Sequence, residues 1–509
     1  MDHQNDRQTR VLKLVELFDD LVGDQSSPDD VAHQLKGAIG EPDLVDQARE
    51  KYEDRIRRIH SLKYSTTLTE EDGEQWYPGP QSGDVFWPSL RDYLLDEKFE
   101  ERVVDSIDEE STKVVSCLDA PWAPDIDTRG LVVGHVQSGK TANFTAVTSK
   151  AADVGYRIFI VLSGMTNSLR QQTQRRMERE LVDLNPNRWH RLTREDSDFV
   201  RPATRAASLL ASEDQKLIAI TKKNSARLRK LVDWLKGAGE SVLSNAPALV
   251  IDDEADYASV NTREDRGERS TINSLIIELL DTLPRSAYVG YTATPFANVF
   301  INPQAPEDLY PRSFIHALPT PEEYFGPETI FGRDRLEFDD SEPIDDGYQM
   351  VRRDVSTEEL SSLNASESDR DREAFEPEVT PSLQTALRYF AMATAARRVR
   401  EQEGFFSTML VHTDLHIAVQ DQLGDRLREE VTALRNRIAS EPEELYEELR
   451  GEWEQESERV DSRSFDLEPI SFDDLVRHLP DVAEDLKVVV ANSQSEDSLD
   501  YESDRGLVS

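Results

Sequence analysis

The chain has 509 residues, 37% of them hydrophobic and 7% aromatic, which is material for two or three separately cored domains rather than one. Its 101 acidic and 59 basic side chains leave a net charge of -42, and its single cysteine, Cys117, excludes an internal disulfide and a thiolate metal cluster. No apolar run approaches the ~20 residues of a membrane span, and the opening MDHQNDRQTR has no signal-peptide core, so the expected location is cytoplasmic, with no membrane partner.

Only 14 of the cations are lysines, and none falls between Lys236 and Lys487, so the acidity is spread along the chain rather than held in one tail. That distribution fits a halophilic, high-salt cytoplasm, where a Debye length of about 3 Å at 1 M screens carboxylate repulsion. The alternative is an acidic interaction protein.

In chain order, residues 1–110 show helical spacing in VLKLVELFDDLV and a Trp-rich stretch through EQWYPGPQSGDVFWPSLRDYLL, which predicts a helical accessory domain. Residues 111–315 alternate short apolar runs (GLVVGHV, RIFIVLSG, KLIAITKK, ALVIDDEA, SAYVGYTAT) with amphipathic stretches, the rhythm of a parallel sheet covered on both faces. Residues 316–380 contain FDDSEPIDD and NASESDRDREAFEPE and read as an acidic, mobile linker or insertion. From 381 to 509, a helix leads into FSTMLVHTD, a long charged helical stretch and LKVVVANSQ, which predicts a partial second α/β lobe.

The strongest motif is GHVQSGKT, where Gly134, Gly139, Lys140 and Thr141 satisfy G-x-x-x-x-G-K-[ST] between a strand and a helix. Backbone amides of that loop, including Gln137 and Ser138, suit phosphate oxygens. Lys140 suits the β and γ phosphates of ATP, and the Thr141 hydroxyl suits Mg²⁺. A glycine turn with a chance Lys-Thr is the plainer reading. ALVIDDEAD delivers carboxylates at a strand end: Asp253 for Mg²⁺ and Glu254 to orient and deprotonate water. A solvated acidic cluster is its alternative. Thr292 and Thr294, in TAT at the end of the next strand, can link those carboxylates to a moving part.

Two basic islands stand out. TNSLRQQTQRRM carries Arg170, Arg175 and Arg176, and TKKNSARLRK carries Lys222, Lys223, Arg227 and Lys230, neither with an acid. Phosphate contacts to nucleic acid are one use, and solvated helix faces are the other. For metal-dependent cleavage the only candidates are EDQK (213–216) and EDLK (484–487), for which chance is the better account.

Together GHVQSGKT, IDDEAD and YTATPFAN, in that order, resemble the first RecA-like, P-loop lobe of superfamily 2 (DEAD-like) helicases. More closely, RGLVVGHVQSGKTANF, SGMTNSLRQQTQ, YVGYTATPFANVFINP and STMLVHTD resemble helicase-linked proteins with a Z1 domain, described as endonucleases, over roughly 70–509. The resemblance implies an ATP hydrolase acting on DNA, with ATP and Mg²⁺, in a restriction or defence setting with partner subunits. A nucleotide-dependent switch without translocation is the rival. The resemblance also implies a later arginine-containing segment that supplies a finger to the phosphate. None is found in this sequence, which leads to the expectation of an incomplete second lobe and slow turnover.

Overall fold

The structure is a computed structural model. It describes residues 10–11, 13–14, 28–39, 42, 44–49, 67–69, 76–97, 99–135, 139–164, 166–257, 259, 271–299, 301, 308–320, 324–331, 350, 355–364, 375–400, 406–440, 442–492 and 508–509. It divides into two compact units, Met1–Glu322 and Glu323–Ser509.

The first unit is α/β. Its strands β1 (Thr67–Thr69), β2 (Arg129–Val133), β3 (Ile158–Ser163), β4 (Trp189–Arg191), β5 (Lys216–Lys222), β6 (Ala248–Asp253), β7 (Ser286–Thr292) and β8 (Phe314–Ala317) form one sheet in the order β1-β8-β2-β7-β6-β3-β5-β4. Every pairing is parallel except the edge pair β1–β8. The central strands are apolar at successive positions, because both faces are covered: IFIVLS and SAYVGYT are buried at every residue. Each fully buried Val, Leu or Ile there contributes roughly 1.5–3 kcal/mol before chain entropy is charged against it.

The helices of this unit are α1 (Pro28–Ile39), α2 (Phe86–Asp96), α3 (Glu101–Ser116), α4 (Lys140–Val154), α5 (Asn167–Met177), α6 (Ser225–Lys236) and α7 (Thr271–Thr282). Trp87, Leu90 and Leu94 of α2 and Val104 of α3 share a core with Ala146 of α4, so residues 86–116 pack onto the helix that follows β2. Asp153 fixes this layer by accepting from the amides of Val85, Phe86 and Trp87 at the start of α2. A smaller core of Val11, Leu14, Val31, Leu35, Leu44 and Val45 lies nearer the N-terminus.

The second unit has α8 (Pro381–Val399), α9 (Ile417–Ser440) and α10 (Pro442–Arg459) around Leu387, Met392, Leu434 and Leu445. Here the structure departs from the sequence expectation. FSTMLVHTD and LKVVVANSQ read as strands of an α/β lobe, but within the described residues they form only isolated parallel bridges, Ser407 and Leu486 each to Val508. A strand exists only where a neighbour accepts its ladder bonds. Among the described residues, the ladder-type backbone bonds of these segments run to the last two residues, through Ser509 N to Ser407 O, Met409 N to Ser509 O and Lys487 N to Val508 O. The most acidic part of the expected linker, FDDSEPIDD, lies outside the described residues, while Thr357–Leu363 is a short helix capped by Ser356. No helix among the described residues is long and apolar enough to cross a membrane.

Candidate active site

Strands β2, β3, β6 and β7 end on one edge of the sheet, and the segments leaving them enclose a cavity of about 590 Å³. Gly139, Lys140 and Thr141 reach it from the start of α4, Asp253 and Glu254 from β6, and Ala293 and Thr294 from the turn after β7. One face of α5 supplies Leu169, Gln172, Thr173 and Arg176.

The loop after β2 is tied to the sheet by Gly134, whose amide donates to Thr292 O at 3.0 Å. Gly139 sits at φ +81, a left-handed conformation that costs glycine nothing and lets the chain turn into α4. Lys140 Nζ donates back to the carbonyls of Gly134 and His135, both at 3.1 Å. Those are neutral acceptors, exchangeable for a charged one. Gln137 and Ser138 lie outside the described residues.

At the end of β6 the two aspartates divide. Asp252 is fully buried, accepts from Tyr288 Oη at 2.6 Å, and lies 2.7 Å from Lys223 Nζ. Asp253 faces the cavity, and burial, reinforced by the like charge of Glu254 and partly offset by Lys223 and Lys140, pushes its pKa up to about 6. Glu254 has φ +56, a conformation that non-glycine residues rarely hold. Two contacts over-determine that turn. Ala255 N donates to Tyr291 O at 2.9 Å, and a Cβ on Gly290 would stand 2.9 Å from Ala255 Cβ, so only glycine in β7 lets the turn lie this close. Lys223 Nζ also donates to the carbonyls of Glu254 and Tyr257.

Thr292 and Thr294 hold Asp256 rather than Asp253. Thr292 Oγ1 donates to Asp256 Oδ1 at 2.7 Å, Thr294 Oγ1 donates to Oδ2 at 2.5 Å, and Thr294 N donates to Thr292 Oγ1. The end of β7 is thereby linked to the turn that carries Glu254.

The basic islands are not one open surface, which corrects two of the expected nucleic-acid contacts. Lys223 is 1% exposed and committed to Asp252 and the β6 turn. Arg170 is 2% exposed and donates to the carbonyls of Arg194 and Glu195 and to Gln174 Oε1. Sequence reasoning missed this because a cation count cannot see the buried acceptors opposite. Arg175 pairs with Glu195, Lys222 donates to Asn167 Oδ1 and Arg227 to Phe199 O, while Lys230 is exposed. Arg176 faces the cavity.

Replacing Lys223 by alanine is expected to cost about 3–5 kcal/mol of unfolding free energy, because Asp252 would be left buried and uncompensated. Chemical denaturation measures this, and a loss under about 1 kcal/mol would contradict the assignment.

Among the described residues no three His, Cys, Asp or Glu gather as a metal-holding group. In the EDQK segment, Asp214 pairs with Arg188, and burial lowers the Lys216 amine to about 8.

Among solved structures, the chain is similar to the DUF1998 helicase MrfA bound to DNA and AMPPNP, at 13% identity and TM-score 0.28, over 52% of this chain and 34% of that one. The same helicase bound to DNA gives 13% and 0.27 over the same shares, so the chain spans about a third of that helicase's length. The Sulfolobus solfataricus SWI2/SNF2 ATPase core in complex with dsDNA is 16% identical, with TM-score 0.23 over 64% of this chain and 57% of that one. No curated protein matches the chain. Residues 382–508, which take in α9, α10 and all but the first residue of α8, match the Z1 domain.

Proposed function

We propose that the chain is an ATP-dependent, helicase-like motor that acts on DNA, working with partner subunits of a restriction or defence system. One observation carries the reading: Lys140 and Thr141, Asp253 and Glu254, and Thr294, from three separate sequence segments, meet around one cavity at the C-terminal edge of a parallel sheet. The Z1 match supports the restriction or defence setting.

The residues fit ATP and Mg²⁺. Asp253 is a half-buried carboxylate whose ionisation a dication would favour, and Lys140 holds neutral carbonyls that a phosphate can replace. Thr141 and Asp253 would hold Mg²⁺, which supplies charge neutralisation at the phosphates. Lys140 exchanges its carbonyl contacts for phosphate oxygens. Glu254, aimed by its over-determined turn, orients the attacking water and accepts its proton. Thr292 and Thr294, through Asp256, connect that turn to β7.

Phosphate release with and without single-stranded DNA, in molar KCl to suit the acidic surface, tests the reading. DNA-stimulated turnover, even from a slow basal rate, would favour the motor, and nucleotide binding without stimulated turnover would favour the switch. One observation favours that rival, namely that Arg170 and Lys223 are spent inside the protein.

The remaining candidates for DNA phosphates are Arg175, Lys222, Arg227 and Lys230, in α5, β5 and α6. Neutralising Lys222, Arg227 and Lys230 together is expected to weaken DNA binding and to flatten its salt dependence by about 0.9 for each phosphate left without its cation. An unaltered slope returns them to the solvated surface.

A further inference from the structure

Helix α5 carries three arginines, and the fold sends them to three different places. Arg170 points into buried backbone acceptors, and Arg175 pairs at the surface with Glu195. Arg176 lies with Leu169, Gln172 and Thr173 at i, i+3, i+4 and i+7, the stripe of α5 that walls the cavity shared with Lys140, Thr141 and Glu254. Gly164, just after β3, sits under this stripe: a Cβ there would stand 2.8 Å from Leu169 Cδ1.

Arg176 is also held in place. Its Nε donates to Glu180 Oε1 at 2.9 Å, and Glu180 belongs to the single π-helical turn Glu178–Val182 that continues α5. Such turns re-aim side chains, and Glu180 is 4% exposed, so the tether is rigid. A guanidinium has five N–H donors. Nε is used, and among the described residues the four Nη–H groups have no hydrogen-bond acceptor. In a chain of net charge -42, a guanidinium that spends only its Nε on Glu180 and keeps its Nη–H groups for the cavity it lines is set up for an anion from outside the protein.

The place along the phosphate chain follows from the neighbours. Arg176 lines the same cavity as Lys140 and Thr141 at the start of α4, while the next residue, Met177, anchors α5 against α4 with its Sδ 3.4 Å from Thr145 Oγ1. The phosphoryl group attacked in hydrolysis is the terminal one, and Glu254 borders the same cavity. We propose that Arg176 binds the terminal phosphate of a nucleoside triphosphate and makes the site select triphosphate over diphosphate, an inference that rests on the nucleotide reading above. It is a first-unit cation for the triphosphate, not a contact to DNA.

The test compares the full chain with Arg176→Gln and Arg176→Lys by equilibrium titration with ATP·Mg²⁺ and with ADP·Mg²⁺, alongside the salt slope of DNA binding. In Arg176→Gln, ATP affinity is expected to fall about ten- to hundredfold, the size of one or two charge-assisted hydrogen bonds, with ADP affinity changed less than about twofold. Arg176→Lys, which keeps the charge but loses the fork, should lie between, and neither variant should alter the DNA slope. Equal losses for ATP and ADP, no loss for either, or a flattened DNA slope would each overturn the proposal while leaving the site reading intact. If the parent chain binds neither nucleotide, the site reading itself fails, and this inference fails with it.

Discussion

Glu254→Gln is expected to keep ATP·Mg²⁺ affinity within about twofold of the parent while hydrolysis falls by about 10²–10⁴-fold, the range a positioned general base contributes. Glutamine has the same shape, and the interactions that hold φ at +56 come from Ala255, Gly290 and Lys223 rather than from the carboxylate. The turn should therefore survive the change. What disappears is the ability to accept a proton from water. Single-turnover phosphate release reads the effect without interference from product release. Turnover equal to the parent's would reject Glu254 as the base and would direct attention to Asp253.

Lys140→Ala is expected to weaken ATP·Mg²⁺ binding by about ten- to hundredfold or more, because the loop loses the cation that makes its charge-assisted bonds to phosphate. Structural damage should be small. The amine holds only two backbone carbonyls at 3.1 Å, one of them in an exposed setting, and α4 is anchored elsewhere, through the Asn143 contact to Tyr291 and the apolar face that meets β2 and β7. Unchanged affinity in a variant with unchanged unfolding would remove the loop from the binding site. The two variants separate binding from chemistry: Lys140 acts on the first, and Glu254 on the second.

Much of the first unit was legible in the sequence because its determinants are local. Short apolar runs such as LVV, LIAI and AYVGY identify strands buried on both faces, and the strand, loop and helix around Gly134–Thr141 are neighbours in the chain. That three motifs would share one cavity follows from their all lying at strand C-termini in a parallel sheet. Two things were not legible, both because they depend on partners far away in sequence. The fate of a cation is one. Lys222 and Lys223 are adjacent, yet the pleat turns one toward Asn167 near the surface and the other onto Asp252 in the core. Strand formation in the second unit is the other. VVV in LKVVVANSQ has ample β-propensity, but propensity supplies no neighbour, and the described residues give Leu486 and Lys487 only Val508 to pair with. The link from Thr292 and Thr294 to Asp256 lies between these cases. Small hydroxyls at a strand end were a visible signal, but which carboxylate they would reach was not.

Equilibrium titration of the full chain with ATP in the presence of Mg²⁺, at molar KCl and beside Lys140→Ala, tests the central claim most directly. Saturable binding by the parent, sharply weakened in the variant while both unfold at the same temperature, is the predicted result. No saturable binding by the parent at millimolar nucleotide, or equal affinity in parent and variant, would contradict the assignment of this cavity to a nucleoside triphosphate.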